Sequence, residues 1–557
     1  MTPQELFERH RPTLDQAVAA ARSRGYWSPF AEMPSPRAYG ETAAADGEAA
    51  FKARLDQPFP LDQPGGGGRV GGERSPYGFA LGITYPAPDL DALLAAARAA
   101  MPAWRKAGPD GRAGVCVEIL ARLNRRSFEI ANAVQHTTGQ AFMMAFQAGG
   151  PHAQDRGLEA VTYGWKAMTD QVPAARWEKP QGKNPPLVMD KVFEVVPRGV
   201  AVTVGCATFP TWNGYPGLFA SLVTGNAVVV KPHPAAILPL AITVEVCRAV
   251  LAEAGLDPNL VTLAADSAEA PVTRELALRP EVALIDFTGS SEFGDWLEQN
   301  ARQAQVFTEK AGVNTVTIDS TDDPKGMVRN LAFALSLYSG QMCTTPQVIF
   351  VPKDGIGAGD ARMGFDEVVR ALAGGLDRFL SDPAKAVEVL GAIQSDATLE
   401  RLEKAHDLGA VALASRRIDH PAFPGARVRT PLLLVLDAGD EAVYGRELFG
   451  PIAMVVRVED TADALARAAA LARGKGALTA ALYSSDPAVV ERARETFTEA
   501  GVALSVNLTG GVFVNQSAAF SDFHGTGANP ACNAALCDLA FVAGRFRVVQ
   551  TRVPVAA

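Results

Sequence analysis

The sequence predicts an α/β protein built from two doubly wound, Rossmann-like domains and a small β arm. Three observations predict it. From Val200 to Ile318 short apolar strands alternate with helical stretches of roughly ten or more residues, the rhythm of parallel βαβ units. A similar alternation runs on to about Ala540. Ahead of both lies Pro185 to Gly199, an extended stretch closed by Pro and Gly that reads as a β arm.

The 557 residues are too many for one core. Residues 1–80 form an extension: a helical pattern from Leu6 to Ser23, then a Pro- and Gly-rich tract from Gln57 to Gly72. Four consecutive glycines hold no regular structure cheaply, so this tract reads as a loop or arm draped over the surface. Residues 81–183 and 200–309 make up the first large domain. Helix begins at Asp89, with acids in its first turn and Ala and Leu behind. A second helix, from about Gly111 to Gln135, presents Val115, Ile119, Leu123 and Ile130 on one face. Val200–Val204, Ala227–Lys231, Leu260–Ala264 and the run from Leu284 read as strands, with Pro216–Val223 and Ile237–Ala254 as helices between them. Residues 310–540 form the second domain. Residues 184–199 and 541–557 form the arm, whose last strand, Phe546–Pro554, needs a partner sheet and could find it on another subunit.

Composition narrows the function. Hydrophobic residues are 48% and charged ones 20%, which excludes a disordered chain. A formal charge of −9 excludes a general nucleic-acid binder. No apolar run spans a bilayer, and the charged N-terminus lacks a secretory signal, so a cytoplasmic protein is expected. Six scattered cysteines without a C-x-x-C pair suggest neither a disulfide framework nor a metal site.

Cys343 stands out among them, in Ser339-Gly-Gln-Met-Cys-Thr-Thr-Pro, a polar loop context, whereas Cys247 sits in an apolar helix. Glu309 follows an apolar strand and precedes a small-residue turn. Lys231 ends the strand Ala227–Lys231 at its carboxyl end, where doubly wound sheets bind ligands. Phe287-Thr-Gly-Ser-Ser offers backbone N–H groups and a helix N-terminus to a pyrophosphate.

Together with Met101-Pro-Ala-Trp, Gly225-Asn-Ala-Val-Val-Val-Lys-Pro, Glu309-x-x-Gly, Gly340-Gln-x-Cys343 and Glu447-Leu-Phe-Gly-Pro, these segments resemble the NAD(P)-dependent aldehyde dehydrogenase superfamily from about residue 85 onward. The resemblance implies an aldehyde dehydrogenase fold, with Cys343 as the nucleophile that forms a thiohemiacetal and then a thioester. It makes Glu309 the base that activates water, with a carboxyl raised toward neutrality by desolvation. It implies a cofactor site in which Lys231 holds adenosine-ribose hydroxyls, Gly289 and Ser290 approach the pyrophosphate, Glu447 binds the nicotinamide ribose and Phe449 packs beside the ring. Gly205, Cys206, His233 and Phe293 complete that cleft.

Two positions depart from the family pattern. Where relatives carry an oxyanion-binding Asn, gapless alignment places Thr208, and Asn213 lies five residues later; Thr208 is the expected donor, with Asn213 serving if the loop shifts. After Lys231 the chain reads Pro-His233-Pro, without the Glu that would repel a 2′-phosphate, so NADP is expected, with NAD as the other choice. The N-terminal extension and the segment Ala519–Pro530, which contains His524 in a Gly-rich stretch read as exposed, look like the branch called phenylacetic acid degradation protein PaaN. That likeness implies a CoA-linked, ring-cleavage-derived semialdehyde as substrate, and a homodimer or dimer of dimers. Competing readings are a CoA-acylating aldehyde dehydrogenase, for which Glu309 has no use, and a non-catalytic binding protein on the same fold.

Overall fold

The computed structural model describes residues 1–65 and 67–555; Gly66 of the glycine tract and residues 556 and 557 of the arm lie outside the described residues. Helix α1 (Pro3–Ser23) starts with a capping box between Thr2 and Glu5. It buries Leu6, Phe7, Leu14 and Ala17 in the core of the first domain, against α2 (Gly108–Arg125) and α3 (Pro151–Thr169). The tract from Gln57 to Gly72 lies largely on the surface among the described residues, whereas the helical part of the extension belongs to that core. Its apolar residues are spaced for one helix face and need a partner surface. The tract after it also has structural work. Gln63 exchanges two hydrogen bonds with the backbone of Leu263, at 2.7 and 2.8 Å. Glu73 accepts from the N–H groups of Ile237 and Leu238 at 2.6 and 3.0 Å. The extension thus covers a sheet edge and caps a helix start.

The single helix expected over 111–135 is two, α2 and Ser127–Thr138, separated at Arg126. The arm begins earlier than expected, as a hairpin of β1 (Ala174–Gln181) and β2 (Asn184–Pro197). The first domain holds five parallel strands: β3 (Val200–Val204), β4 (Ala227–Lys231), β5 (Val261–Leu263), β6 (Val282–Thr288) and β7 (Gln305–Glu309). Their order across the sheet is β5-β4-β3-β6-β7, which puts the topological switch between β3 and β6. The large sheet of the second domain has seven among the described residues: β8 (Thr315–Ile318), β9 (Val348–Pro352), β10 (Ala410–Leu413), β11 (Leu432–Asp437), β12 (Ile452–Val458), β13 (Thr479–Tyr483) and β14 (Ala503–Val506). They run β10-β11-β12-β9-β8-β13-β14, parallel except for the β10–β11 pair. Both sheets are buried on their faces by helices, which explains the nearly unbroken Val, Ile and Leu of their central strands.

Strand β15 (Phe546–Pro554) pairs antiparallel with β2 of the same chain, Phe546 opposite Pro197 through Pro554 opposite Met189. Its partner sheet is thus internal. The strand is anchored by Arg545, fully buried, whose guanidinium holds both oxygens of Asp286 on β6 at 2.6 and 2.7 Å. Among the described residues no helix is long and apolar enough to cross a membrane.

Two features bring the domains together. The loop leaving β7 enters the second sheet directly. In return, residues 529–533 come back from the second domain to line the end of β7: Lys310 N–H donates to Ala531 at 2.6 Å and Asn533 N–H to Thr308 at 3.1 Å. The last residue of β7, Glu309, sits inside this junction.

Candidate active site

Glu309 ends β7 next to Thr288 on β6, and is 4% exposed. A carboxylate in that position needs partners. One comes from helix α4 (Pro210–Val223), which starts a turn and a half earlier than the sequence suggested. Asn213 therefore lies in its first turns, buried, and its Nδ2 donates to Glu309 Oε2 at 2.8 Å. Its Oδ1 lies 3.6 Å from the Cys206 thiol, which burial pushes up to about 11. Thr208 sits ahead of the helix. Its carbonyl accepts from Gln140 Nε2 at 2.8 Å and its side chain faces Cys206. The earlier helix start thus brings Asn213, and not Thr208, against Glu309.

Cys343 arrives from the second domain. Helix α5 (Pro324–Ser336) is followed, after Leu337, by three consecutive left-handed residues, Tyr338, Ser339 and Gly340, with φ of 52°, 50° and 65°. Side chains rarely adopt this conformation, and the surroundings hold it. Tyr338 donates to the Thr138 carbonyl, and Ser339 to the carbonyls of Leu390 and Arg429, both at 3.1 Å. A Cβ on Gly340 would lie 2.4 Å from the Gly450 carbonyl, so only glycine fits. Beyond the turn, Asn314 clamps the cysteine loop. Its Nδ2 donates to the carbonyls of Cys343 and Thr345 at 2.7 and 3.0 Å, and its Oδ1 accepts from Leu478 and Thr479.

The third approach is from residues 517–536. His524 is 4% exposed, not the solvated loop histidine expected. Its Nε2 stands 3.0 Å from Glu309 Oε1, off the line of a hydrogen bond, and 3.9 Å from Cys343 Sγ. One donor or acceptor atom each from Glu309, Cys343 and His524 falls within 4.8 Å of the other two.

The electrostatics follow from this packing. Burial pushes the Glu309 carboxyl up, but the His524 ring, the Cys343 thiol and the Asn213 amide outweigh it and hold the carboxyl below its usual value. The desolvated carboxyl near neutrality is thereby corrected: pairing wins over burial. Burial first, then the Glu309 carboxylate, drives the half-buried Cys343 thiol well above the ordinary thiol range, so at rest the proton stays on sulfur.

The remaining expected residues occupy a separate arc. A crevice lined by Thr203, Val204, Phe287, Glu309 and His524 opens at the carboxyl ends of β3, β6 and β7. Gly205 N–H donates to the Lys231 carbonyl at 2.9 Å. Gly289 N–H donates to the Glu309 carbonyl at 3.0 Å, and Ser290 caps the helix Ser291–Asn300, whose Phe293 stacks on Trp296. Lys231 is buried, and its Nζ donates to Asp266 Oδ1 at 2.7 Å, a partner the sequence reading did not supply. His233 accepts Ala235 N–H on Nδ1 at 3.1 Å, a contact that an imidazolium cannot make. From the second domain, Glu447 is pushed up to about 7 by burial, and the Phe449 carbonyl accepts from Arg401 at 2.7 Å.

The model of the aldehyde dehydrogenase family matches residues 84–527. The chain belongs to the aldehyde dehydrogenase family. It is accordingly an NAD(P)-dependent oxidoreductase. It is similar to the NAD-dependent aldehyde dehydrogenase of Burkholderia multivorans, whose crystal structure matches at a TM-score of 0.98 with 61% identity over 99% of each chain. It is also 28% identical over 447 residues to the N-succinylglutamate 5-semialdehyde dehydrogenase of Burkholderia cenocepacia, covering 77% of this chain and 84% of that one. A 1-pyrroline-5-carboxylate dehydrogenase from Thermus with bound NAD shares the fold at a TM-score of 0.73 and 17% identity, over 95% of this chain and 99% of that one.

In this aldehyde dehydrogenase three contributors escaped sequence reasoning: His524, Asn314 and Asp266. Each acts across more than 25 positions, and only His524 carried a local signal, a lone histidine before Gly525. That glycine has φ of 71°, and a Cβ there would meet the Cys532 sulfur at 2.6 Å. Asn314→Ala would strip four backbone groups of the buried amide that satisfies them. It is expected to lower unfolding free energy by about 2–4 kcal/mol, read as a lowered urea midpoint; a loss below about 1 kcal/mol would show that the clamp is dispensable.

Proposed function

We propose that this enzyme oxidises a semialdehyde to the carboxylic acid through a thioester on Cys343, hydrolysed by water that Glu309 activates. One observation carries the reading: thiol and Asn213 amide both converge on the buried carboxylate that ends β7, at the carboxyl end of a doubly wound sheet, where such sheets bind a dinucleotide. The residues present fit such a cofactor. Gly205 and Gly289 let backbone approach closely, since a Cβ on either would lie 2.7 Å from Leu240 or Phe287, and a buried lysine stands at a strand end. When bound, the dinucleotide supplies the hydride acceptor.

The chain's own groups do the rest. The Cys343 sulfur bonds to the carbonyl carbon, and the oxygen, now negative, meets the Cys343 backbone N–H and Asn213 Nδ2. Once hydride has left, sulfur holds an acyl group and no longer bears a proton to share with Glu309. One of the three groups that hold that carboxyl low is then gone, so Glu309 becomes a stronger base as the thioester appears. It takes a proton from water, and the hydroxide releases the acid. Free CoA would need no such base, which weighs against the acylating alternative.

For the cofactor, the corner near Lys231 favours NAD. Asp266 already balances the lysine, and His233 as a backbone-bound acceptor brings no positive charge for a 2′-phosphate. For the substrate, Phe209, Tyr338, Trp212, Met144 and Met342 form an apolar cluster that ends at the residue preceding Cys343, suited to a hydrocarbon chain next to the aldehyde. A CoA-linked semialdehyde from aromatic ring cleavage in phenylacetate catabolism remains our reading, on the likeness of residues 519–530. The N-succinylglutamate 5-semialdehyde named for relatives is the competing substrate. The β arm, with Leu187, Val192, Val548, Val549 and Val553 exposed, is the surface for a second copy.

In a panel of CoA-linked and free semialdehydes with each dinucleotide, wild type is expected to prefer NAD. Glu309→Gln is expected to give one equivalent of reduced cofactor and then stall, and Cys343→Ala none. Normal steady turnover in either variant would overturn the assignment. Light scattering is expected to give a dimer or tetramer, reduced by truncation after Gly544; a single-chain mass would overturn the assembly.

A further inference from the structure

The mechanism above leaves one proton unassigned, the one on the Cys343 sulfur. We propose that His524 is a catalytic residue that takes this proton as the thiol attacks the aldehyde, leaving Glu309 free for the later attack by water. The inference rests on the thioester reading and divides its two halves between two bases.

Geometry selects His524. Its Nε2 is 3.9 Å from Cys343 Sγ, within reach of an S–H donor. The ring is held on every side. It packs near-perpendicular to the Trp212 ring, with centroids 4.7 Å apart and planes at 80°. The backbone exchanges two 2.8 Å hydrogen bonds with Leu536. The segment carrying it is fastened to α3. Buried Arg156 donates to the carbonyls of Asp522 and Leu536 at 3.0 and 3.3 Å and to Ser517 Oγ at 2.9 Å, while Glu159 accepts from Phe520 N–H at 3.0 Å. A buried ion pair of Arg156 and Glu159, 2.9 Å apart, is thereby spent on positioning one loop. A histidine present only to fill space would not require this.

Charge supports the same assignment. Glu309 Oε1 is buried and faces Nε2 at 3.0 Å without an aligned donor, ready to stabilise an imidazolium. The groups facing this centre are Glu309 from β7, Cys343 and Glu447 from the second domain, Cys206 ahead of α4, Cys532 from the returning segment, and Arg156 across Trp212. The step balances: the S–H bond breaks, its proton bonds to Nε2, the sulfur pair forms the C–S bond, and the carbonyl π pair moves to oxygen. The proton passes to solvent before the next turnover, and hydride leaves to the nicotinamide dinucleotide.

The test reads the thiol itself. The rate of Cys343 alkylation by iodoacetamide is followed against pH in cofactor-free protein, with Cys343→Ala as the blank. His524→Gln is expected to slow alkylation at pH 7 about tenfold or more and move its inflection to higher pH. It is also expected to slow the first burst of reduced cofactor about 100-fold or more. An unchanged alkylation profile in folded His524→Gln would overturn the proposal. Should that variant not fold, His524→Asn is read in the same way, and an unchanged alkylation profile in the folded variant overturns the proposal. If blocking Cys343 leaves turnover intact, the thioester reading fails instead, a separate result.

Discussion

A carboxylate buried at the end of β7 organises this enzyme. Moving a charge out of water is costly, and that cost is offset only by groups aimed at it. Asn213 reaches Glu309 from the first turns of α4, His524 from the returning segment, and Cys343 from the strained turn of the second domain. No pair of these is close in sequence. The need to satisfy one charge therefore couples the two sheets and draws into one place the groups that chemistry requires.

The same junction explains where strain and rigidity lie. Three successive left-handed residues precede Cys343, and the loop they form is pinned by Ser339, Tyr338 and the four-way clamp of Asn314. Such a conformation persists only where its surroundings over-determine it. Opposite, the His524 loop is pinned by a buried ion pair. Thiol, carboxylate and imidazole are thus held on fixed supports, so the approach of substrate need not order them and the binding free energy is available for the reaction.

Much of this was legible in the sequence. Apolar runs separated by helical stretches identified both sheets, and Glu309, Lys231 and Cys343, ambiguous one at a time, were marked by the order and spacing of the motifs that carry the family resemblance. What was not legible depends on where distant segments meet. The start of α4 at Pro210, six residues ahead of the helical pattern, decides whether Asn213 or Thr208 faces the carboxylate. Burial of His524 depends on Arg156, 368 positions away in the chain, and the charge state of Glu309 on three neighbours from three segments. The N-terminal helix was visible as a pattern, but its burial required knowing that α2 and α3 present it with an apolar face.

Turnover by this enzyme passes through an acyl group carried by one sulfur. Glu309→Gln protein, mixed with NAD and the best aldehyde of the panel and quenched with acid within a turnover, can be weighed whole and then mapped by peptide. A gain equal to the acyl mass, confined to the peptide containing Cys343 and dependent on NAD, is the result this account predicts. Aldehyde consumed with Cys343 unmodified, or the mass found on another residue, would contradict it.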